Sequence, residues 1–346
     1  MKVQVLLENV TKKYNATKAV EDLSFEIGKG EVFCLLGPSG CGKTTTLRLI
    51  AGLEKPDSGR IEIGGVTVAG EGTWMPPEKR RVGMVFQDYA LFPHMNVFQN
   101  VAFGMRNQQE VRKRVLEVLE LMGLDGMEKR YPHELSSGQQ QRVAIARALA
   151  PEPEVILLDE PFSNLDADLR KQIRSDIKKI LKKTGITTVF VTHDQEEAFF
   201  MSDKIGVMRN GRLEQVGTPE EVFHRPSTPF VAQFVGIADF ISGVIKNGKV
   251  ATPIGDLRID ARFPEGDMVR VLIRPDSIDI REDEDGDGVV LERLFLGTHY
   301  LYTILLTGGE RLRCLRHHSL PIPIGAKVRV KLRTPDMPVI FRLQSD

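Results

Sequence analysis

Residues 37 to 44 read Gly37-Pro38-Ser39-Gly40-Cys41-Gly42-Lys43-Thr44, with Thr45 next, the spacing of a glycine-rich turn that cradles phosphates. Glycines let the backbone curl so that successive N–H groups point inward at β- and γ-phosphates, and a following helix adds its positive N-terminal end. Lys43 brings a mobile point charge to the terminal phosphates, the Thr44 hydroxyl suits Mg²⁺, and Thr45 can donate toward the α-phosphate. A strand-to-helix turn that binds nothing has no need of the Lys43-Thr44 pair in that register. Cys41 implies no redox role, because a small side chain is all the position requires.

Further along, Val155-Ile156-Leu157-Leu158 runs into Asp159 and Glu160. Neighbouring side chains of an extended backbone point to opposite faces, so these two carboxylates are expected to have different jobs. Asp159 is expected to serve Mg²⁺, and Glu160 to act on the attacking water as general base or positioning group. His193 closes another apolar run and can donate a hydrogen bond to a γ-phosphate even when neutral. Gln87 follows the strand-like run 82–86 and is an uncharged group able to touch both Mg²⁺ and that water. Alone, His193 or Gln87 would be an ordinary strand-end residue; beside the glycine-rich turn, the set meets the needs of nucleoside triphosphate hydrolysis.

These groups need a scaffold that gathers strand ends. The short apolar runs 31–36, 155–158 and 187–191 each deliver polar residues at their C-terminal ends, the pattern of a parallel α/β sheet with its site there. Residues 44–51 are expected to be helical, as are 112–122 and the alanine-rich 138–150, so the middle of the chain is a helical insertion. Pro219, Pro226 and Pro229 punctuate the stretch after the last α/β element. Beyond about Asp239 the strands are short and alternating, as in 327–333, where Val328, Val330 and Leu332 share one face; a small β-barrel or sandwich is expected.

The 346 residues favour two domains, and 47 basic against 47 acidic residues leave no global basic field of the kind that dominates nucleic-acid binding. Cys34, Cys41 and Cys314 are too few and too scattered for a disulfide scaffold or a metal pairing, which fits a reducing cytoplasm. No stretch reaches the ~18 to 20 apolar residues of a membrane helix. The acidic turn 283–288 imitates the opening of a calcium loop, but Leu294 stands where the closing glutamate belongs, so a solvated turn is expected.

Leu135-Ser136-Ser137-Gly138-Gln139, ahead of QQRVAIARAL, closely resembles the LSGGQ motif of ATP-binding cassette ATPases, with Ser137 where that family usually has glycine. The resemblance implies a head-to-tail homodimer that sandwiches two ATP molecules. The loop 37–45 of one subunit would face Ser136, Ser137, Gly138 and Gln139 of the other. Ser163-Asn164-Leu165-Asp166 resembles the family's D-loop, which implies that Asp166 crosses the interface beside Glu160. Tyr14 falls where the family stacks an aromatic ring on adenine.

The resemblance covers the whole chain and implies an α/β P-loop NTPase cassette with a helical insertion, followed by a small all-β OB-like domain. Residues 1–235 resemble the nucleotide-binding domain, with a helical subdomain over about 88–154. Residues 236–346 resemble the TOBE-type regulatory domain of importer ATPases. Such importers take up maltose-type sugars, sulfate, polyamines or ferric iron, and FVGIADFISG at 234–243 is most similar to the ferric or polyamine branch. The implied cofactors are ATP and Mg²⁺. The implied partners are transmembrane permease subunits and, indirectly, an extracytoplasmic solute-binding protein, with no nucleic acid. The implied place is cytoplasmic, peripheral on the inner face of the cell membrane. In similar proteins the segment 88–95 takes a short permease helix, although Leu91 and Phe92 could equally fill the insertion's own core. A soluble cassette ATPase of repair or translation is the alternative; the first would carry a long coiled-coil insertion and the second usually two cassettes, and neither pattern is present.

Overall fold

Val32–Leu36, Val155–Asp159 and Thr187–Thr192 are buried at every position, which a parallel sheet covered on both faces allows. The computed structural model describes residues 2–105, 108–259, 263–333 and 338–343. The chain divides into two compact units, Met1–Glu220 and Glu221–Asp346.

The first unit opens with strands β1 (Val3–Tyr14), β2 (Thr17–Gly28) and β3 (Val32–Leu36), then helix α1 (Lys43–Ala51). Strands β4 (Ser58–Ile63), β5 (Val66–Gly70), β6 (Thr73–Trp74) and β7 (Val82–Val85) come next. Helices α2 (Val97–Ala102), α3 (Gln108–Leu121) and α4 (Ser137–Leu149) form the helical insertion. The chain returns through β8 (Val155–Asp159), α5 (Ala167–Thr184), β9 (Thr187–Thr192), α6 (Gln195–Met201), β10 (Lys204–Arg209) and β11 (Arg212–Gly217).

Two sheets result. The central one has the order β11-β10-β3-β9-β8-β7, and all of its pairings except β10 with β11 are parallel. The other, antiparallel, has the order β2-β1-β4-β5-β6. One apolar cluster joins them through α1, with Val5, Leu7 and Ile27 from the second sheet, Leu47 and Leu49 from the helix, and Leu35, Leu157 and Val189 from the first. This core fixes α1 and therefore the turn that precedes it. Buried Arg80 anchors the other end of α1, donating to the carbonyls of Leu49 (2.7 Å) and Ile50 (3.0 Å), where a cation meets the negative end of the helix dipole. Its desolvation lowers the guanidinium pKa to about 10.

Helix α7 (Pro219–His224) begins at the unit boundary and α8 (Pro229–Phe234) lies just beyond it, so the proline-punctuated stretch holds two short helices. The second unit then has β12 (Asp239–Lys246), β13 (Lys249–Thr252), β14 (Gly255–Arg258), β15 (Met268–Ile273) and β16 (Ile278–Glu282). Strands β17 (Gly288–Phe295), β18 (His299–Leu306), β19 (Arg311–His317), β20 (Lys327–Leu332) and β21 (Ile340–Arg342) complete it. They form two antiparallel sheets, β14-β13-β12-β15-β21 and β16-β20-β17-β18-β19, closed over one core that includes Ile241, Val271, Tyr302 and Val330. Val328 and Val330 face that core, as their alternation predicts. The acidic turn is tied down rather than only solvated: Asp283 pairs with Arg329 at 2.6 Å, and Asp287 Oδ1 accepts from the Val330 N–H at 2.9 Å. Among the described residues no helix is long and apolar enough to cross a membrane.

Candidate functional site

The turn 37–42 connects β3 to α1, and its glycines are there for reasons of space and backbone. Gly42 has φ +104°, and a Cβ there would lie 2.3 Å from the Ala19 carbonyl oxygen; a Cβ on Gly37 would lie 2.5 Å from that of Met208. Gly42 caps α1 without any side-chain hydrogen bond, and the first turn of the helix contains no acid. The N-terminal N–H groups are thus open to an anion without competition from an acid of the helix's own first turn. Lys43 Nζ, almost wholly buried, donates to the carbonyls of Gly37 (2.7 Å) and Pro38 (2.9 Å), which holds the ammonium against the curl of the loop. Burial raises the Cys41 thiol's pKa against the opposing effect of Lys43, in keeping with a structural rather than nucleophilic cysteine.

Thr44 Oγ1 donates to Asp159 Oδ1 at 3.0 Å. The hydroxyl from α1 and the carboxylate from β8 form a pair of hard oxygen donors, which suits Mg²⁺ completed by phosphate and water oxygens. Among the described residues no cluster of three or more His, Cys, Asp or Glu could hold a metal by itself.

Burial pushes the Asp159 carboxyl above the usual carboxylate range, only partly offset by the Thr44 hydrogen bond. The folded chain therefore binds this proton more tightly than the unfolded one. The contribution of Asp159 to stability is complete below the ordinary value of ~4 and is lost as pH rises through the raised one. Asp159→Asn keeps an oxygen for Thr44 and removes the buried charge. It should raise the melting temperature at pH 8 above that of wild type, with a smaller difference at pH 5; thermal denaturation between pH 5 and 8 checks this, and a variant no more stable than wild type at pH 8 would refute it.

Glu160 departs from the expected geometry. Its φ is +42°, a left-handed kink after the strand rather than the alternation of an extended one, and its carboxylate meets a different partner from that of Asp159. Such a conformation costs about 1–3 kcal/mol in a non-glycine residue. The surroundings hold it: Glu160 N–H donates to Val191 O (3.1 Å), and Ser163 Oγ donates to Glu160 O (3.0 Å). The kink brings Glu160 Oε1 to 3.3 Å from Nδ1 of His193, which comes directly after β9.

Gln87 lies just past β7 with its side chain exposed. Asn164 Nδ2 donates to Gln87 O at 2.9 Å, which ties the D-loop-like segment to this loop. The loop, Asp159, Glu160, His193 and Gln87 thus stand at the C-terminal ends of β3, β8, β9 and β7, all members of one parallel sheet.

Tyr14 ends β1 with its ring exposed, near enough to Glu54 and Thr45 for both to act on its phenol, and so lies close to the first turn of α1. Partial burial, then Glu54, raise its phenol pKa. Ser136 caps α4 in a reciprocal box with Gln139: Gln139 N–H donates to Ser136 Oγ (3.3 Å) and Ser136 N–H to Gln139 Oε1 (3.0 Å). Gly138 packs closely against α5, where a Cβ would sit 2.3 Å from Ile173 Cδ1 and push that side-chain tip aside, while Ser137 takes the first position of the helix. Asp166 caps α5 by accepting from Leu169 N–H (3.0 Å). Among the described residues, the hydrogen bonds of 135–139 stay with α4 and the segment before it, and none reaches 37–45.

Beyond Gln87 opens a cleft of about 1140 Å³, lined by Phe86, Ala90, Phe92, Phe103, Met105 and Arg147 among others. Phe92 is half-buried, its ring 4.4 Å from that of Phe103. The sequence reasoning missed Arg80 and Arg147 and named Asn164 only as part of the D-loop-like segment; each acts through backbone carbonyls, which carry no residue signature.

Residues 20–163 match the family described as ABC transporter, and residues 271–340 match the TOBE domain. The chain is 45% identical to the spermidine/putrescine import ATP-binding protein of Rubrobacter xylanophilus, over 92% of this chain and 87% of that one. It is 42% identical to the Fe(3+) ions import ATP-binding protein of Brucella abortus, over 97% of each chain. Among solved structures, a dimeric ATP-binding cassette in a post-hydrolysis state bound to ADP and phosphate superposes with a TM-score of 0.54 at 35% identity, over 62% of this chain and 98% of that one.

Proposed function

The chain belongs to the ATP-binding cassette ATPases of transporters, and from that premise we propose that it is the ATP-hydrolysing subunit of an importer for polyamines or ferric iron. The observation that carries the ATPase reading is the gathering of Lys43, Thr44–Asp159, Glu160–His193 and Gln87 at one edge of one parallel sheet.

Lys43 and the N–H groups of residues 39–45 hold the phosphates, Tyr14 stacks on adenine, and Thr44, Asp159 and Gln87 would hold Mg²⁺. The metal, when bound, neutralises charge on the phosphate oxygens. Glu160 takes the proton of the attacking water, and His193, whose Nδ1 lies 3.3 Å from that carboxylate, donates one hydrogen bond to the γ-phosphate. Among the described residues no hydrogen bond of Ser136 to Gln139 reaches the chain's own loop, and a solved relative is a dimer, which supports a head-to-tail homodimer. There Ser136, Ser137, Gly138 and the start of α4 meet the γ-phosphate held by the partner, with Asp166 at the crossing. Residues 1–235 would be the cassette and 236–346 the regulatory domain.

The cleft beside Gln87 would take a permease helix and hold the chain peripherally on the cytoplasmic face of the membrane. The solute-binding protein acts from the other side. The two named relatives are import proteins for spermidine/putrescine and for Fe(3+), which supports these cargo classes over sugars and sulfate. The test is uptake in vesicles containing the chain with its co-purified permease. ATP-dependent accumulation of spermidine, putrescine or Fe³⁺, but not of sulfate or maltose, is expected. Turnover with no uptake of either cargo class would sink the transport assignment.

A further inference from the structure

Gln87 precedes a turn with two consecutive non-glycine residues in the left-handed region, Tyr89 at φ 63° and Ala90 at φ 45°. Neither residue type favours that conformation, and such turns persist only where surrounding contacts over-determine them. The Tyr89 hydroxyl adds no hold, being buried without a hydrogen-bond partner among the described residues. Tyr89 N–H closes the turn on Phe86 O at 2.9 Å, and a further hold comes from Arg147, near the end of α4. Its guanidinium donates from one nitrogen to Tyr89 O at 2.8 Å and from the other to Ala90 O at 2.6 Å. The same group lies 5.4 Å from the centroid of the Phe92 ring. On the other side, Asn164 Nδ2 grips Gln87 O. The loop of Gln87 is thus clamped between the helix that begins at Ser136 and the segment that leads into α5.

We infer that Arg147 is a positioning residue for Gln87: its two-pronged hold on the Tyr89 and Ala90 carbonyls keeps the left-handed turn wound and so links α4 to the nucleotide site. The inference rests on the ATPase reading and deepens it. A planar fork is needed because two adjacent carbonyls must be met at once; a lysine ammonium keeps the charge and the contact with Phe92 but not the fixed double donation. When α4 shifts, the fork shifts with it and the turn carries Gln87 along. Release of the fork lets the turn unwind toward ordinary backbone geometry.

The test uses the full chain assembled with its permease, measuring kcat, KM for ATP and the melting temperature. Arg147→Lys is expected to lower kcat about tenfold, a cost typical of a group displaced from reacting geometry, with KM within about twofold of wild type. Ala90→Gly in the Arg147→Lys background should recover most of the lost kcat, because glycine takes the left-handed conformation without help. A purely structural role for Arg147 gives no such recovery. Should Arg147→Lys fail to fold, Asn164→Ala, which releases Gln87 from the other side and leaves α4 intact, should lower kcat by itself. The inference is overturned by wild-type kcat in Arg147→Lys, by a loss that Ala90→Gly does not repair, or by wild-type kcat in Asn164→Ala. A wild type without turnover sinks the ATPase reading first, and is seen before any variant is compared.

Discussion

Glu160→Gln is expected to cut ATP turnover by about a hundred- to ten-thousandfold, the usual worth of a positioned general base, while ATP binding survives. The amide is nearly isosteric, retains an oxygen toward His193 Nδ1, 3.3 Å from the present carboxylate, and leaves untouched the backbone bonds to Val191 and Ser163 that hold the left-handed kink. What it loses is the capacity to take a proton. If Ser136 to Gln139 of a second subunit complete the site, ATP that cannot be hydrolysed keeps two subunits together. The variant should then elute as a dimer with ATP and as a monomer with ADP. Light scattering during size-exclusion chromatography reads this directly, and phosphate release reads the turnover. A variant that hydrolyses ATP within about threefold of wild type would remove Glu160 from the chemistry; a variant that is inactive but monomeric with ATP would remove the sandwich.

The kink at Glu160 also shows what the sequence reveals and what it conceals. Asp159 and Glu160 were legible as two neighbouring carboxylates at a strand end. Strand alternation was expected to carry through both, whereas Glu160 is a left-handed residue after the strand. The parallel strands were legible because each is a short, wholly apolar run, and the glycine-rich turn because phosphate geometry constrains residue types directly. The antiparallel sheet of β1, β2 and β4–β6 was not. In β1 the register shifts between Leu7 and Val10 and again before Lys12, with Asn9 at φ +49°, so the period-two signal is broken by bulges within one strand. Helix α3 starts at Gln108, four residues before the apolar spacing announces it, because its first turn carries polar residues. Arg147, in an alanine-rich helix, looks like a solubilising residue; its task exists only once the fold brings two carbonyls to it.

Lys43→Ala acts one step earlier, on binding. A charge-assisted hydrogen bond contributes about 1.5–3 kcal/mol, so loss of the ammonium should weaken ATP binding roughly ten- to a hundredfold or more. Turnover should fall further, since charge on the leaving and transferred oxygens grows in the transition state and the missing cation is worth more there. The present contacts add a second effect. Nζ also ties Gly37 O and Pro38 O together inside the turn, and its removal leaves two carbonyls of a nearly closed loop without their donor. Lys43→Ala therefore weakens the receptor for phosphate and loosens its shape at once. The distinction from Glu160→Gln is sharp: one variant should bind ATP and not hydrolyse it, the other should scarcely bind it. Equilibrium binding of a fluorescent ATP analogue measures the difference, and equal affinity in the two variants would mean that Lys43 does not hold the phosphates. The pair also orders the cycle, because dimer formation with ATP should persist in Glu160→Gln and vanish in Lys43→Ala if bound nucleotide is what joins the subunits.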